Sequence, residues 1–241
     1  MKPYERLPTI HQLKNITISR EADRWFISFR IEVESIATDK EVDVVGIDLG
    51  VKTLATLSTG EVFEGAYSYK KLSAKLAKLQ RELSRKSFCS SNSKKAKLKV
   101  QKLHRIIANL RKDTLHKLTS HLSKNHAVNV IEDLNVSGMM ANHKLAKAIA
   151  DMGFYEFRRQ LEYKSKLYGS KLVVADRFYP SSKTCYNCGE KKDSLLLSER
   201  VFCCEKCHYQ IDRDLNAAKN LEKLVQLGES NPPDFYRNFR D

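Results

Sequence analysis

The sequence has no long apolar run, and its acidic residues are outnumbered by basic ones. Its longest apolar stretches fall well short of the roughly 18 residues that a membrane-spanning helix needs. The first ten residues, MKPYERLPTI, contain no apolar core of the kind that a secretory signal has. We therefore expect a cytoplasmic protein with no membrane partner, long enough for one core and a smaller module.

Cysteine is scarce outside one short segment. Five of the six cysteines lie between Cys185 and Cys207, while Cys89 stands alone in a polar loop and has no assigned role. Cys185 and Cys188 form one C-x2-C pair, and Cys204 and Cys207 form a second after fifteen intervening residues. Two such pairs at this spacing are typical of a four-thiolate zinc site and not of a disulfide framework or a redox dithiol. The segment therefore predicts one structural zinc ion.

Cys203 offers an alternative ligand next to Cys204. The C-x2-C spacing to Cys207 favours Cys204, and neighbouring side chains of an extended segment point to opposite faces. We therefore expect Cys203 to stay outside the site. With four protein thiolates the ion would have no open coordination position, so it would stabilise the fold and take no part in chemistry.

Acidic residues are almost absent between Lys70 and Lys112. This stretch contains fifteen Lys or Arg and one acid, Glu82, so its net charge of +14 equals that of the whole chain. Its leucines recur at helical spacing on both sides of the polar residues 87–93, which predicts a helical hairpin at about 70–125. A basic surface this dense favours an anionic polymer as partner, because each phosphate contact releases counterions. A solvated helical face is the alternative.

Basic side chains on two predicted helical segments are expected to contact nucleic-acid phosphates. The predicted contacts are Lys94, Lys95, Lys97, Lys102, Arg105 and Arg111, with Arg158, Arg159 and Lys164 as weaker candidates. Contacts of this kind predict binding that weakens steeply with salt.

Two apolar runs that end in an acid mark the expected centre of the fold. VDVVGIDLG contains Asp48 near its end, AVNVIEDLN contains Glu132, and Asp214 opens a final helical stretch. Strand ends and helix starts can converge at one edge of a mixed sheet, where three carboxylates suit two magnesium or manganese ions and phosphodiester hydrolysis. Spacing alone leaves three neighbouring acids open as alternatives: Asp43, Asp133 and Asp212.

Four motifs resemble, in this order, those of the TnpB/OrfB family of transposon-encoded proteins: GIDLGVKTLAT, VIEDLNVSGMM, PSSKTCYNCG and DRDLNAAKN. Residues 104–118 and 154–169 also look like helices of that family, so the likeness covers most of residues 15–225. The resemblance implies an α/β fold with an RNase H-like, RuvC-type mixed sheet, a basic helical hairpin insertion and a four-cysteine zinc-ribbon insertion. It also implies an RNA-guided DNA endonuclease whose partners are guide RNA and target DNA.

The resemblance also implies roles at the matching positions. Asp48, Glu132 and Asp214 match the three catalytic acids, and Asp214 is preferred to Asp212 because the family's last acid stands two residues before Asn-Ala-Ala. The implied zinc ligands are Cys185, Cys188, Cys204 and Cys207. The implied cofactors are one structural Zn²⁺ and two catalytic Mg²⁺ or Mn²⁺ ions.

The resemblance further implies an order of domains along the chain. A β-hairpin predicted at Asn15–Val33 looks like the last hairpin of the family's N-terminal β-barrel. The implied parts are a barrel remnant (1–40), a RuvC-like nuclease domain (41–178), a zinc-binding target-nucleic-acid domain (179–211), a closing helix (212–226) and a flexible tail (227–241).

Two departures from the family pattern bear on function. The region before Asp48 is much shorter than the family's recognition region, and His208 stands where the family usually has glycine. The histidine either strains the turn or brings a polar side chain near the zinc site. A non-catalytic nucleic-acid-binding regulator of transposition and a DDE-type transposase are the alternative functions. The complete acid trio favours the nuclease over the regulator, whereas the short region before Asp48 favours the regulator. The zinc module before the last acid favours the nuclease over the transposase.

Overall fold

A computed structural model describes residues 15–30, 33–196 and 198–226 of the chain. It contains two compact units, one formed by residues up to Ser35 with Lys71–Asn109, the other by Ile36–Lys70 with residues from Leu110 onward. The predicted tail 227–241, the first fourteen residues and residues 31–32 of the predicted segment 1–40 lie outside the described ranges. Within those ranges no helix combines the length and apolarity that a bilayer crossing requires.

The first unit contains an antiparallel hairpin and most of two basic helices. Strands β1 (Asn15–Glu21) and β2 (Arg24–Arg30) pair along their whole length, which confirms the predicted hairpin. Helices α1 (Ser68–Ser84) and α2 (Ser91–Asn125) follow, separated by a short connection where the polar break was predicted. Leu76, Leu103 and Ile107 are buried, as expected for the apolar stripe of an amphipathic helix. That the helices form an insertion in a nuclease domain stays a prediction, as do the domain boundaries.

The second unit is built on a five-stranded mixed sheet in the order β5-β4-β3-β6-β7. The strands are β3 (Val42–Leu49), β4 (Ala55–Leu57), β5 (Val62–Phe63), β6 (His126–Glu132) and β7 (Lys171–Ala175). The first three pair antiparallel, while β6 runs parallel to both β3 and β7. Strand β3 is central and covered on both faces, which explains its nearly continuous apolar run.

Helices and a second small sheet complete this unit. In chain order they are α3 (Val136–Ala141), α4 (Ala146–Met152), α5 (Phe154–Tyr168), β8 (Val201–Cys203), β9 (Gln210–Asp212) and α6 (Arg213–Gln226). The sequence predicts one helical stretch up to about Gly169, whereas the structure divides it. Gly153 separates α4 from α5 because it adopts φ 74°, a left-handed conformation that ends the first helix.

The two faces of the sheet bury different cores. Since side chains alternate along a strand, odd- and even-numbered residues of β3 and β6 lie on opposite faces. Val45, Ile47 and Ile131 pack with side chains of α2 and α5 in the larger core. Val130 packs with Leu221 of α6 in the smaller one. Asp48 and Glu132 have even numbers, so both belong to the face that α6 covers.

Helix α6 packs directly against the backbone of β3 at Gly46. A Cβ atom at this glycine would lie 1.9 Å from the carbonyl oxygen of Ala218 and 2.7 Å from the amide nitrogen of Glu222. Ala217 and Ala218 are themselves fully buried. The glycine of GIDLG and the alanines of LNAAKN are therefore complementary, because small residues on both elements let the helix backbone lie against the strand.

Candidate active site and metal centre

The two strand-end acids lie on adjacent parallel strands. The register pairs Ile47 with Ile131, so the next residues, Asp48 and Glu132, fall opposite each other. Adjacent strands are about 4.8 Å apart. Because both acids also share the face covered by α6, the fold places their side chains next to each other.

Helix α6 brings the third acid to the same region, since Asp214 is its second residue. Burial, followed by the charges of Glu132 and Asp214, raises the pKa of Asp48 well above its usual value. Burial also raises the pKa of Glu132, although a hydrogen bond from Ser181 partly opposes this. The three predicted acids thus share a region of negative potential that a divalent cation would neutralise.

The spacing of the acids differs from that of the thiols. Among the residues that the structure describes, the four cysteines form the one group whose ligand atoms all lie within 4.8 Å of one another. The three acids do not form a second such group in the part of the chain that the structure describes. Their oxygen donors suit magnesium or manganese and do not suit a thiolate-type zinc site.

Asp212 has another role. Its Oδ1 accepts hydrogen bonds from the backbone N–H groups of Asp214, at 2.9 Å, and Leu215, at 3.1 Å. These contacts make it the N-cap of α6, because they satisfy two amides that have no partner within the helix. The capping role supports the choice of Asp214 for the acid centre.

Asp133 is already paired with arginines, and Asp43 lies at the other end of its strand from Asp48. The two carboxylate oxygens of Asp133 bind Arg158 at 2.7 Å and Arg177 at 2.6 Å, so its charge is already balanced. Asp43 is the second residue of β3 and exposed, at the end of the strand away from Asp48. Neither competes with the predicted trio.

A cleft beside the acids carries two cations that sequence reasoning missed. Asp212 and Asp214 line it together with Lys52 and Arg200. Thr56, opposite Asp48 in the β3–β4 pairing, lines it as well. Lys52 and Arg200 lie outside the basic stretch between Lys70 and Lys112. The sequence feature that could have indicated Lys52 is its position shortly after Asp48 in GIDLGVK.

The four thiols match the geometry of a tetrahedral ion. Cys185 Sγ lies 3.7 Å from Cys207 Sγ, and Cys188 Sγ lies 3.6 Å from Cys204 Sγ. Sulfurs bound at about 2.3 Å to one zinc ion are about 3.8 Å apart. Cys203 is exposed on β8 and does not belong to the group, as predicted. The four cysteines are thus positioned to bind one metal ion.

The two turns that carry the thiols have the same backbone design. The N–H of Gly189 donates to the carbonyl of Cys185 at 2.9 Å, and the N–H of His208 donates to the carbonyl of Cys204 at 3.1 Å. Gly189 has φ 76° and His208 has φ 56°, so the histidine occupies a left-handed position that glycine fills in the first turn. Because its side chain is exposed, the departure at His208 concerns the backbone conformation.

The surroundings of Cys207 favour its ionised form. The backbone N–H of Tyr209 and the side-chain amide of Asn187 lower the pKa of Cys207 to about 6. Asn187 Nδ2 lies 3.6 Å from the sulfur. Burial acts in the other direction on Cys185 and raises its pKa. Since thiolates are the form that binds metal, an ion bound here would displace protons.

Two buried asparagines fasten α6 to the turn before the first cysteine pair. Asn216 Nδ2 donates to the carbonyl of Thr184 at 2.8 Å, and its Oδ1 accepts the N–H of Tyr186 at 3.0 Å. Asn220 Nδ2 donates to the carbonyls of Ser181, at 2.8 Å, and Thr184, at 2.7 Å. The motif LNAAKN therefore combines alanines that pack on β3 with asparagines that bind the PSSKT turn.

The basic residues predicted in the first unit fall into two groups. Lys102 and Arg105 both pair with Asp23, at 2.8 and 2.9 Å. The others are exposed and line an open cleft that also includes Arg20 and Gln101; they are Lys94, Lys95 and Lys97. The cleft residues are therefore the stronger candidates for phosphate contacts in this unit.

The basic residues predicted in the second unit contact protein groups. Arg111 donates to a backbone carbonyl of α4 at 2.7 Å, while Arg158 and Arg159 each pair with an acid. Lys164 is buried, and its Nζ donates to a carbonyl and two hydroxyl groups of α2. The prediction that Lys164 contacts phosphate is wrong, because this side chain does not reach the surface.

Known proteins are similar to this chain in sequence. The family model OrfB_IS605, described as "Probable transposase", matches residues 28–143, and the Cas12f1-like TNB domain model matches residues 154–221. The chain is 42% identical over 225 residues to "Putative RNA-guided DNA endonuclease InsQ" of Escherichia coli (strain K12), covering 87% of this chain and 56% of InsQ. It is 28% identical over 233 residues to "TnpB-like protein L770" of Acanthamoeba polyphaga mimivirus, covering 90% and 44%.

A solved structure supports the fold assignment. The chain superposes on Cas12f1 in "Cryo-EM structure of the Cas12f1-sgRNA-target DNA complex" with a TM-score of 0.61 and 21% identity, covering 88% of this chain and 46% of that one. The chain spans about half the length of the curated relatives it matches. Since the two family models follow each other along most of the sequence, the chain belongs to the TnpB/OrfB family.

Proposed function

We propose that this chain carries the catalytic part of a divalent-metal-dependent, RNA-guided DNA endonuclease. The observation that carries the proposal is the arrangement of Asp48 and Glu132 on adjacent strands beneath the first turn of α6. The names of the relatives, RNA-guided DNA endonucleases and TnpB-like proteins, support the same reaction class.

Asp48, Glu132 and Asp214 would hold two magnesium or manganese ions. When bound, such ions activate a water molecule and stabilise the leaving oxygen of a phosphodiester. The protein fixes the three carboxylates on β3, β6 and α6. Burial, and after it the charges of Glu132 and Asp214, raises the pKa of Asp48, and a bound cation would offset the cost of the charged form.

Lys52 and Arg200 would position the DNA backbone at this centre. Both line the cleft that Asp212 and Asp214 also line. A lysine ammonium and an arginine guanidinium bind phosphate oxygens, and the arginine can do so with two parallel hydrogen bonds. Their charges would attract the substrate to acids that would otherwise repel it.

The four cysteines would hold one structural zinc ion. Strand β9 ends at Asp212 and α6 begins at Arg213, so the zinc module leads directly into the helix with Asp214. Arg213 reinforces this junction, because its backbone N–H donates to the carbonyl of Arg200 at 2.8 Å. The zinc ion would therefore help to fix the third acid, which explains why thiolate and carboxylate ligands adjoin in the sequence.

Guide RNA and target DNA would be the partners of the chain. Lys94, Lys95 and Lys97, with Arg20 in the same cleft, are the basic residues that we assign to phosphate contacts. Each such contact releases counterions, so binding would weaken steeply between low and physiological salt.

A nuclease assay with Mn²⁺ and family-type guide RNA tests the proposal. We expect the purified chain to cut DNA that matches the guide, and Asp48→Ala to abolish cutting. Asp43→Ala is the matched control, since it removes an exposed acid from the same strand and should leave cutting unchanged.

Equal cutting by wild type and Asp48→Ala would refute the proposed centre. Binding of RNA or DNA without cutting by any of these proteins would favour the non-catalytic regulator of transposition instead. Joined DNA ends among the products would favour a DDE-type transposase.

A further inference from the structure

Ser181 touches one of the proposed metal ligands. Its hydroxyl group donates a hydrogen bond to Glu132 Oε1. The residue is 2% exposed, so this hydroxyl does not exchange its partner for bulk water. The bond occupies one carboxylate oxygen and so limits the rotation of the other.

The backbone of Ser181 is fixed on both sides. Its N–H donates to the carbonyl of Tyr179 at 2.9 Å, and its carbonyl accepts the side-chain amide of Asn220 at 2.8 Å. The hydroxyl of Tyr179 donates in turn to the carbonyl of Asn220 at 3.2 Å. Helix α6, which carries Asp214, therefore holds the residue that touches Glu132.

We propose that Ser181 is a positioning residue that orients Glu132 for divalent-metal binding and couples it to α6. The inference rests on the proposed function. A carboxylate that is already oriented loses less conformational freedom when it binds a metal, and partners of this kind typically change metal affinity or activity by about 10- to 100-fold. Ser181 does not contact the reacting atoms, so it acts through Glu132.

Mn²⁺ binding by the purified full chain, measured by electron paramagnetic resonance, tests this role without requiring cleavage. We expect Ser181→Ala to weaken Mn²⁺ binding about tenfold and Ser181→Thr, which keeps the hydroxyl, to retain most of it. Ser182→Ala is the matched control, since it removes a hydroxyl one residue away. Under cleavage conditions Ser181→Ala should lower kcat by about 10- to 100-fold with little change in KM for DNA.

Zinc content and thermal unfolding of each variant separate positioning from folding. Wild-type Mn²⁺ affinity in a folded Ser181→Ala protein would overturn the inference, even if Asp48→Ala abolished binding and the proposed function stood. Equal loss in Ser181→Ala and Ser181→Thr, with unchanged unfolding, would also overturn it, because the hydroxyl would then be irrelevant. Absence of Mn²⁺ binding and cleavage in the wild type would instead refute the proposed function, and the inference with it.

Discussion

At the residue scale, the four-cysteine module contains a residue in the left-handed region of backbone conformation, which favours glycine. His208 has φ 56°, whereas its counterpart in the first turn is Gly189. The left-handed region costs an L-residue roughly 1–2 kcal/mol, part of which glycine recovers. We predict that His208→Gly raises the free energy of unfolding of the zinc-loaded chain by about 1 kcal/mol, measured by urea denaturation.

His208→Ala is the control for this substitution. It removes the imidazole but keeps a Cβ atom at the same φ, so it should not stabilise the chain. If the free energy of unfolding rose as much in the alanine variant as in the glycine variant, the imidazole and not the backbone would be the source of the strain.

Because Lys164 is buried, we predict that the free energy of unfolding depends on pH. Burial lowers its pKa from 10.5 to about 8, with a smaller contribution from Lys124. Below about pH 8 the lysine is charged in both the folded and unfolded states, and the folded state bears the full cost of burying that charge. Between about pH 8 and 10.5 the unfolded state binds more protons, so stability rises with pH, by roughly 3 kcal/mol at most.

Urea denaturation between about pH 7 and 10 of wild type and Lys164→Met measures this contribution. The wild type should gain stability relative to the variant as the pH rises above about 8. Lys166→Met is the control, because Lys166 is exposed on the same helix, and this variant should keep the rise. Parallel pH profiles for wild type and Lys164→Met would contradict the prediction.

Some residue assignments follow from sequence and others need the coordinates. The pattern of apolar runs and acids makes Asp48 and Glu132 candidates, because strand periodicity is local information, but it leaves Asp43 and Asp133 open. The choice between Glu132 and Asp133 depends on arginines far along the chain that bind Asp133. The contact of Ser181 with Glu132 spans 49 positions, so no local pattern indicates it.

At the element scale, the packing of α6 on β3 controls where Asp214 lies. Gly46→Ala would place a methyl group 1.9 Å from the backbone oxygen of Ala218, and a backbone atom cannot move aside as a flexible side chain can. We predict a loss of about 3 kcal/mol or more in the free energy of unfolding, measured by urea denaturation.

Gly60→Ala distinguishes this clash from a general effect of adding a methyl group. Gly60 has φ 94°, but a Cβ atom added there would meet no other atom within 4 Å, so its substitution should cost only backbone strain. If both variants lost the same free energy of unfolding, the close contact between α6 and β3 would not be the cause of the loss in Gly46→Ala.

Element types and the antiparallel pairing of neighbouring strands could be predicted, whereas the parallel pairing of strands far apart in the chain could not. The continuous apolar run of β3 indicates a buried central strand, and the leucine spacing indicates helices. The parallel register that aligns Asp48 with Glu132 depends on the position of α2 between the two strands in the chain and on both cores. The division of the helical stretch at Gly153 was missed, because an isolated glycine within a helical pattern does not always end a helix.

At the scale of the whole molecule, charge and chemistry are separated along the chain. The whole net charge of +14 resides between Lys70 and Lys112, mostly in the first unit. The acids and thiols belong to the second unit. The basic block and the candidate metal ligands are therefore found in different units.

Removal of the metal ion proposed for the four cysteines tests whether this site supports the acidic centre in the same unit. The Cys185 pair follows the turn that Asn216 and Asn220 bind, and β9 of the zinc hairpin continues into α6. Without the ion the four cysteines would share no metal centre, and the surrounding turns would lose the bonds that hold them together. We predict that a zinc chelator weakens Mn²⁺ binding at the acidic centre at least about tenfold, although it removes none of the acids.

Cysteine variants make the same test without a chelator. Cys204→Ser removes a buried sulfur of the four-thiol group and should reproduce the loss of Mn²⁺ affinity together with the loss of zinc. Cys203→Ser alters the adjacent exposed residue outside the group and should change neither. If Cys204→Ser lost its zinc but bound Mn²⁺ like the wild type, the two metal centres would be independent. The position of Asp214 would then depend on the packing of α6 against β3 and not on the four-cysteine module.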